Sequence, residues 1–235
     1  APDVAIITIV APAHTEALGG VEGVAHEKSQ LVRAVRTDGV ALFPKSCTQY
    51  PAFSDLFVNP LVLERSAVLR PATEASHTIH FNVVQRAEET VIVVAYGPPP
   101  PHLFKMRRVT DGMAQNVALA LTAALALGVP RAALQARLTL CSPGKLRGEI
   151  RHEGGRLLYL DCYNANPASM ADALATFIAV APPAEPRLFV LGCMEELGVE
   201  APAHHHRLGV RLPLRSGDRL LVIGTYADEV CRGVL

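Results

Sequence analysis

Residues 156–170 read RLLYLDCYNANPASM, an apolar run followed by a polar segment and then by a proline and small residues. A short apolar run bounded by turn residues is typical of a β-strand. Asn166 precedes Pro167, and this order predicts a helix N-terminus, because asparagine caps helices and proline favours the first helical turn. The segment is therefore predicted to form a strand, a polar loop and a helix.

Strands and helices continue to alternate beyond this segment. A strand is predicted at 187–192, a helix near 202–210 and a further strand at 219–224. Such alternation predicts an α/β fold with a doubly wound parallel sheet, whose ligands bind beyond the carboxyl ends of the strands. Because the polar residues 161–166 follow a strand, two interpretations stay open: they cap the helix, or they contact a ligand.

The first half of the chain has a similar pattern. It begins with the β-branched run VAIITIV at 4–10, which predicts a buried parallel strand. A break in the pattern at 141–148, CSPGKLRG, predicts a boundary between domains at 1–147 and 148–235. The other predicted elements are a helix at 20–36, strands at 40–43, 76–85 and 91–94, helices at 116–127 and 130–138, and a hairpin formed by 149–152 and 156–161.

The composition excludes several classes of protein. Half of the 235 residues are hydrophobic (50%), 19% are charged and the formal net charge is zero, so no basic surface indicates a nucleic-acid partner. No apolar stretch is long enough to predict insertion into a membrane. The five cysteines are dispersed without CxxC pairs, as is typical of reduced thiols. We predict a cytoplasmic globular protein.

Single polar residues elsewhere give weaker signals. His14 and Glu16 follow the first predicted strand, where they could bind a metal, although a loop histidine is more often only solvated. Lys28 lies among charged neighbours, which favours a surface lysine. The histidines at 204–206 fall in a predicted helix, so at most one should point inward. Cys193 has no evident base, and we predict that it is unreactive.

A nucleotide-binding P-loop is absent from the sequence. Such a loop reads GxxxxGK[ST], and its backbone amides and lysine hold the phosphates. The only Gly-Lys pair is Gly144-Lys145, which is followed by Leu146 and lacks the earlier glycine. Any nucleotide site in this chain must therefore be built differently or be incomplete.

The order of the motifs nevertheless resembles one family. The motifs are APAHTE at 11–16, a lysine 14 residues after His14, Asn116 in an alanine-rich helix that ends LGVP, then Arg147, DCYNANPASM and LGCMEELG. This order resembles the Mur ligases, and YNANPxSM at 163–170 resembles their MurF branch. The resemblance implies the latter part of a central ATPase domain followed by a Rossmann-like C-terminal domain with a parallel sheet. The family's UDP-binding domain and P-loop are then expected upstream of Ala1.

The resemblance also implies a reaction. Mur ligases of this branch are cytoplasmic, ATP-dependent amide ligases of peptidoglycan precursor synthesis that use Mg²⁺. They join D-alanyl-D-alanine to UDP-N-acetylmuramoyl-tripeptide through an acyl phosphate. Seven residues would take part: His14 as a magnesium ligand, Lys28 as a carbamylated lysine that holds a second magnesium, Asn116 against the adenine, Arg147 on the phosphates, Asp161 on the ribose, and Asn164 and Asn166 on the dipeptide and the acyl phosphate.

An alternative follows from departures within the motifs. The chain differs from the family pattern at Ile9, Pro44, Gly112, Leu160 and Cys193, and several of these positions would line the nucleotide site. A non-catalytic, Mur-ligase-like binding protein is therefore the alternative to an enzyme, whereas a folate-type ligase is disfavoured by YNANPxSM. Because it lacks a P-loop, the 235-residue chain by itself is expected neither to hydrolyse ATP nor to ligate.

Overall fold

A computed structural model describes residues 1–54, 56, 60–71 and 77–235. The chain divides into two compact units, the first formed by Ala1–Val10 with Glu22–Ser142 and the second by Ala11–Val21 with Pro143–Leu235. In chain order, the elements are β1 (Val4–Ile6), α1 (Thr15–Leu18), α2 (Val21–Arg33), β2 (Val40–Pro44), β3 (Leu61–Arg65), β4 (Thr78–Gln85), β5 (Glu89–Val94), β6 (His102–Arg107), α3 (Asp111–Ala126), α4 (Arg131–Leu138), β7 (Glu149–Glu153), β8 (Arg156–Leu160), α5 (Pro167–Val180), β9 (Leu188–Gly192), α6 (Ala201–Val210), β10 (Arg219–Ile223) and α7 (Ala227–Val234). Short 3₁₀ turns lie at Lys45–Gln49, Pro51–Phe53 and Gly198–Glu200.

The first unit is built on a six-stranded sheet in the order β1-β2-β3-β4-β5-β6. Its first four strands are parallel, and β5 and β6 complete it as antiparallel strands. Helix α3 packs on this sheet with small residues such as Ala114 and Ala118, which are fully buried and let the helix approach closely. Large apolar side chains from the strands fill the core, among them Leu42, Leu63, Ile79, Phe81, Ile92 and Phe104.

Side chains of α4 cover the outer edge of β6. The Gln135 amide accepts a hydrogen bond from the backbone N–H of Lys105 at 2.9 Å and donates one to the carbonyl of the same residue at 2.8 Å. Arg131 donates to the carbonyl of Leu103 at 3.0 Å. These side chains occupy backbone groups that an edge strand would otherwise leave free.

The second unit contains an antiparallel hairpin and a parallel pair. Strands β7 and β8 are joined at Gly154 and Gly155, which both have positive φ (56° and 73°), as a tight two-residue hairpin turn requires. Strands β9 and β10 pair in parallel, with Val190 opposite Leu221. One face of this pair carries Phe189 into a core completed by residues of α6 and α7.

Two glycines let α6 and α7 pack at backbone contact. A Cβ atom at Gly209 would lie 2.1 Å from the carbonyl oxygen of Val230, and one at Gly233 would lie 2.2 Å from that of His206. No real Cβ makes such contacts, so each glycine is required by the closeness of the two backbones.

We therefore predict that Gly209→Ala lowers the free energy of unfolding by about 1–3 kcal/mol, because the added methyl forces the helices apart. Urea denaturation followed by circular dichroism measures this change. Gly192→Ala is the matched control: a Cβ there meets no atom within 4 Å, so its stability should not fall. Equal stability of the Gly209→Ala variant and the parent would contradict the packing described above.

Most of the predicted elements are present. The predicted helix at 116–127 begins earlier, at Asp111, because Thr110 caps it by accepting a hydrogen bond from the N–H of Met113 at 3.1 Å. The helix predicted at 20–36 ends at Arg33. The predicted strand at 76–85 is β4, and residue 76 lies outside the described residues. The strand predicted at 4–10 ends at Ile6, and strands β3 and β6 and helices α1 and α7 were not predicted.

The predicted domain break at 141–148 spans the point at which the two units separate, between Ser142 and Pro143. The segment Ala11–Val21 groups with the second unit, and the domain bounds 1–147 and 148–235 stay a prediction. Among the described helices, none is long and apolar enough to cross a membrane.

Candidate functional site

The polar loop that follows β8 contains a helix cap. Asn166 accepts hydrogen bonds through Oδ1 from the N–H groups of Ala168 (3.0 Å) and Ser169 (2.9 Å). The Ser169 hydroxyl accepts one from the N–H of Asn166 at 3.0 Å, which completes a capping box. Asn164, which is exposed, accepts from the N–H of Ala165 at 2.8 Å. The predicted cap is thus confirmed for Asn166, and the loop's other polar residues remain candidates for ligand contact.

His14 lies beside a loop that follows β9. Its Nδ1 forms a hydrogen-bonded pair with the carboxylate of Glu196, and both side chains are more than half exposed (64% and 59%). Both residues have the left-handed backbone that non-glycine residues rarely adopt, with φ of 58° at His14 and 59° at Glu196. The Glu196 carbonyl also accepts hydrogen bonds from the N–H of Glu16 (3.3 Å) and the hydroxyl of Thr15 (3.4 Å). These contacts fix the histidine and the glutamate face to face.

A small pocket of about 80 Å³ gathers three of the predicted residues within the second unit. Its polar lining consists of His14, Asn164, Asn166, Glu195 and Glu196. A larger cleft of about 740 Å³ in the same unit shares the two glutamates. The sequence LGCMEELG indicates no role for its two glutamates, because nothing local shows that this loop meets the segment around His14.

Arg147 and Asp161 lie close together at the start of the second unit. The guanidinium carbon of Arg147 lies 3.8 Å from the ring centroid of Tyr163. Burial raises the pKa of Asp161, and the charge of Asp172 acts in the same direction. Arg147 and a hydrogen bond from the backbone of Gly148 act in the opposite direction.

Lys28 and Asn116 belong to the first unit. Lys28 is half-buried, its Nζ donates to the carbonyl of Ile9 at 2.6 Å, and burial lowers its pKa. The neighbouring Cys47 is buried, and burial raises the pKa of its thiol to about 11. At neutral pH Cys47 is therefore a thiol, and burial acts against the charged form of the lysine beside it. Asn116 is exposed on α3.

Only one of the three consecutive histidines points inward, as predicted. His205 is fully buried, its Nε2 accepts from the N–H of Met194 at 2.9 Å, and its Nδ1 therefore donates to the carbonyl of Ala201 at 2.7 Å. Its ring stacks on Tyr226 at a centroid distance of 4.6 Å. Cys193 accepts a hydrogen bond from the N–H of Tyr226 at 3.2 Å. These contacts hold in place the segment that follows the carboxyl end of β9.

The described residues do not fit a preformed magnesium site. No group of three His, Cys, Asp or Glu side chains within the described ranges is placed to hold a metal ion. His14, the predicted ligand, already pairs with Glu196. The predicted metal roles of His14 and Lys28 stay predictions.

Two family models match the chain. The Mur ligase middle domain matches residues 1–124, and the Mur ligase glutamate ligase domain matches residues 146–234. The first match alone covers more than half of the 235 residues.

Individual relatives agree with these matches. The chain is 27% identical over 237 residues to the UDP-N-acetylmuramoyl-tripeptide–D-alanyl-D-alanine ligase of Treponema pallidum (strain Nichols), an alignment that covers 99% of this chain and 47% of the relative. In fold it is similar to MurF from Acinetobacter baumannii (TM-score 0.78, 23% identity, 99% of this chain and 49% of that chain). It is also similar to the MurF ligase from Thermotoga maritima in complex with ADP (TM-score 0.69, 18% identity, 99% of this chain and 61% of that chain).

The chain thus spans about half the length of the curated relatives it matches. Their sequence likeness runs through both of its units, and so do the two family models. This chain belongs to the Mur ligase family.

Proposed function

We propose that this chain is part of an ATP-dependent amide ligase that acts in the cytoplasm on peptidoglycan precursors and joins D-alanyl-D-alanine to UDP-N-acetylmuramoyl-tripeptide. The observation that carries the proposal is the pocket in which His14, Asn164 and Asn166, residues of two distant motifs, meet in the second unit. The relatives named for this reaction and the YNANPxSM segment support it.

The proposed chemistry is acyl transfer through a mixed anhydride. The carboxylate of the tripeptide takes the γ-phosphoryl group of ATP and ADP leaves. The neutral amine of the dipeptide then attacks the acyl carbon, inorganic phosphate leaves, and the amine gives up a proton. Charge stabilisation and positioning supply most of the rate in such reactions. The polar side chains of the pocket are suited to both tasks.

The two asparagines would act as donors. The Oδ1 atoms of Asn164 and Asn166 already accept backbone hydrogen bonds, so the amide nitrogens are the groups that remain for a ligand. Two amide donors suit an oxyanion such as the acyl phosphate or the carboxylate of the dipeptide. Asn166 would therefore cap α5 through its side-chain oxygen and bind substrate through its side-chain nitrogen at the same time.

The nucleotide would be held at separate points. Within the second unit, the carboxylate of Asp161 would accept from the ribose hydroxyls and the guanidinium of Arg147 would donate to phosphate oxygens. In the first unit, Asn116 would contact the adenine. ATP would enter as its magnesium complex, but the proposal rests on these polar side chains and not on a metal site.

The test is ligase activity of the longer protein that carries this chain, measured as phosphate release that requires both UDP-N-acetylmuramoyl-tripeptide and D-alanyl-D-alanine. Asn164→Ala should raise the KM for the dipeptide about 10-fold, the value of one hydrogen bond to a charged group. Asn82→Ala is the matched control, since Asn82 makes the same local contact, accepting from the N–H of Val83 at 2.8 Å.

Tight binding of the nucleotide sugar without any phosphate release would contradict the proposal and support the non-catalytic binding protein instead. The 235-residue chain alone should release no phosphate from ATP above the buffer rate, because its sequence contains no P-loop.

A further inference from the structure

Tyr163 is an aromatic residue whose exposure has no packing explanation. The residue is 66% exposed, although it lies between strand β8 and the capped helix α5. One face of the ring carries the guanidinium of Arg147, whose central carbon lies 3.8 Å from the ring centroid. An exposed tyrosine that covers an exposed arginine buries little apolar surface, so burial does not explain the contact. The contact is explained by its effect on the orientation of the arginine.

The backbone holds the two residues side by side. The carbonyl of Leu146 accepts hydrogen bonds from the N–H groups of Cys162 (3.0 Å) and Tyr163 (3.3 Å). Leu146 itself has a left-handed backbone (φ 61°), and its N–H donates to the carboxylate of Glu149 at 3.3 Å. The segments that carry Arg147 and Tyr163 are thus joined next to the stacked pair.

Stacking leaves the arginine free for a ligand. A guanidinium that lies over a ring uses its flat face, and its N–H groups all point outward in the plane of the group. Among the described residues, no hydrogen bond from this guanidinium to another side chain is found. Asp161 is near enough that the charge of Arg147 acts to lower the pKa of its carboxyl, against the rise caused by burial. The free N–H edge matches the oxygens of a phosphate or diphosphate, which arginine binds in bidentate fashion.

We propose that Tyr163 is a positioning residue: its ring pre-orients Arg147 so that the guanidinium edge meets the phosphate oxygens of a nucleotide. This inference rests on the proposed function, in which Arg147 binds those phosphates. This role requires the face of the aromatic ring and not the hydroxyl. Phenylalanine at position 163 should therefore preserve the orientation of Arg147, and leucine should not.

The first measurement tests the stack alone. In NMR spectra of the 235-residue chain, the side-chain δ and ε protons of Arg147 should be shifted upfield by the ring. Tyr163→Leu should remove this shift and Tyr163→Phe should keep it. Because the side chain is exposed, both variants should fold, which the remaining amide resonances verify. An unchanged Arg147 spectrum in Tyr163→Leu would overturn the proposal.

The second measurement tests the consequence for binding, with inorganic pyrophosphate as the probe. Tyr163→Leu should weaken the binding, followed at the backbone amide resonances of residues 144–149 that every variant retains, roughly 2- to 5-fold, the range expected for an exposed cation–π contact. Tyr163→Phe should bind as the parent does, and Arg147→Ala should bind no better than Tyr163→Leu. In the longer protein, Tyr163→Leu should raise the KM for ATP and leave kcat unchanged.

The outcomes distinguish the positioning role of Tyr163 from the phosphate contact of Arg147. If Arg147→Ala weakens pyrophosphate binding and Tyr163→Leu does not, the positioning role is wrong and the proposed phosphate contact stands. If Arg147→Ala has no effect, or pyrophosphate does not shift the Arg147 resonances, the phosphate contact fails and the positioning role fails with it.

Discussion

Replacing Asp218 by asparagine should lower the melting temperature of this chain by about 10 °C. Asp218 accepts hydrogen bonds from the N–H of Arg187 (2.9 Å), the Nε of Arg187 (3.1 Å) and the N–H of Arg215 (2.9 Å). The Nη2 atom of Arg187 lies 2.5 Å from Oδ2, and the two side chains are only 6% and 1% exposed. An uncharged residue at 218 would leave the guanidinium of Arg187 buried without its counter-ion, which is among the costliest changes in a protein.

Differential scanning calorimetry measures this change, and a matched control comes from the surface. Glu229 and Arg232 also form an ion pair, but the arginine is 62% exposed. Because exposed pairs contribute little, Glu229→Gln should shift the melting temperature by no more than about 2 °C. Similar shifts for the two variants would show that the Arg187–Asp218 pair does not stabilise the second unit.

The same pair gives the stability a pH dependence. The hydrogen bonds from Arg187 hold the pKa of Asp218 far below its usual value of about 3.9. A depressed pKa contributes stability that is complete above the unfolded-state value and is lost as the pH falls toward the folded-state value. The parent should therefore lose more stability than Asp218→Asn when the pH is lowered below about 4.

Structural features that depend on contacts between residues close together in the sequence could be predicted from it. Asn166 and Pro167 predicted the cap of α5, and Gly154-Gly155 predicted the hairpin turn between β7 and β8. In each case the deciding contacts join residues within a few positions of one another, and the residue types carry the geometry with them.

Features set by distant residues could not be predicted in the same way. His14 and Glu196 are 182 positions apart, and only the assembled second unit brings them together. Strand β6 was missed although Phe104 and Met106 alternate with exposed residues, because a six-residue strand beside a proline run gives a short signal. Helix α7 was not predicted either. It buries one side chain, Val230, and it packs on α6 through Gly209 and Gly233, which are distant from each other in the sequence.

Replacing Lys28 by alanine should lower the ligase activity of the longer protein by about 100-fold or more. The predicted role requires Lys28 to lose its proton and to react as a neutral amine with carbon dioxide, which gives a carbamate anion and releases a second proton. Its position fits that requirement, because burial lowers its pKa and its Nζ is held at 2.6 Å from the carbonyl of Ile9. In the predicted role this anion would hold a magnesium ion, and the cation would neutralise negative charge on the transferring phosphoryl group, so loss of the anion would remove that stabilisation.

Two measurements check the role of Lys28. Phosphate release compares Lys28→Ala with Lys45→Ala, a lysine whose side chain is 57% exposed and pairs with Glu64 at 2.6 Å, and which should be dispensable. Addition of ¹³C-bicarbonate should give a carbamate signal in the parent and none in Lys28→Ala. Full activity of Lys28→Ala, with no response to bicarbonate, would show that the lysine serves only the structure.

The contact between Gln135 and Lys105 limits how copies of this chain can join through their sheets. At the β6 edge, an incoming strand would have to displace Gln135 and Arg131 before it could form its first main-chain hydrogen bond. The opposite edge is β1, which pairs only with β2 among the described strands. Because growth of a sheet into a fibre uses both edges of every copy, the side chains on β6 oppose such growth through this sheet.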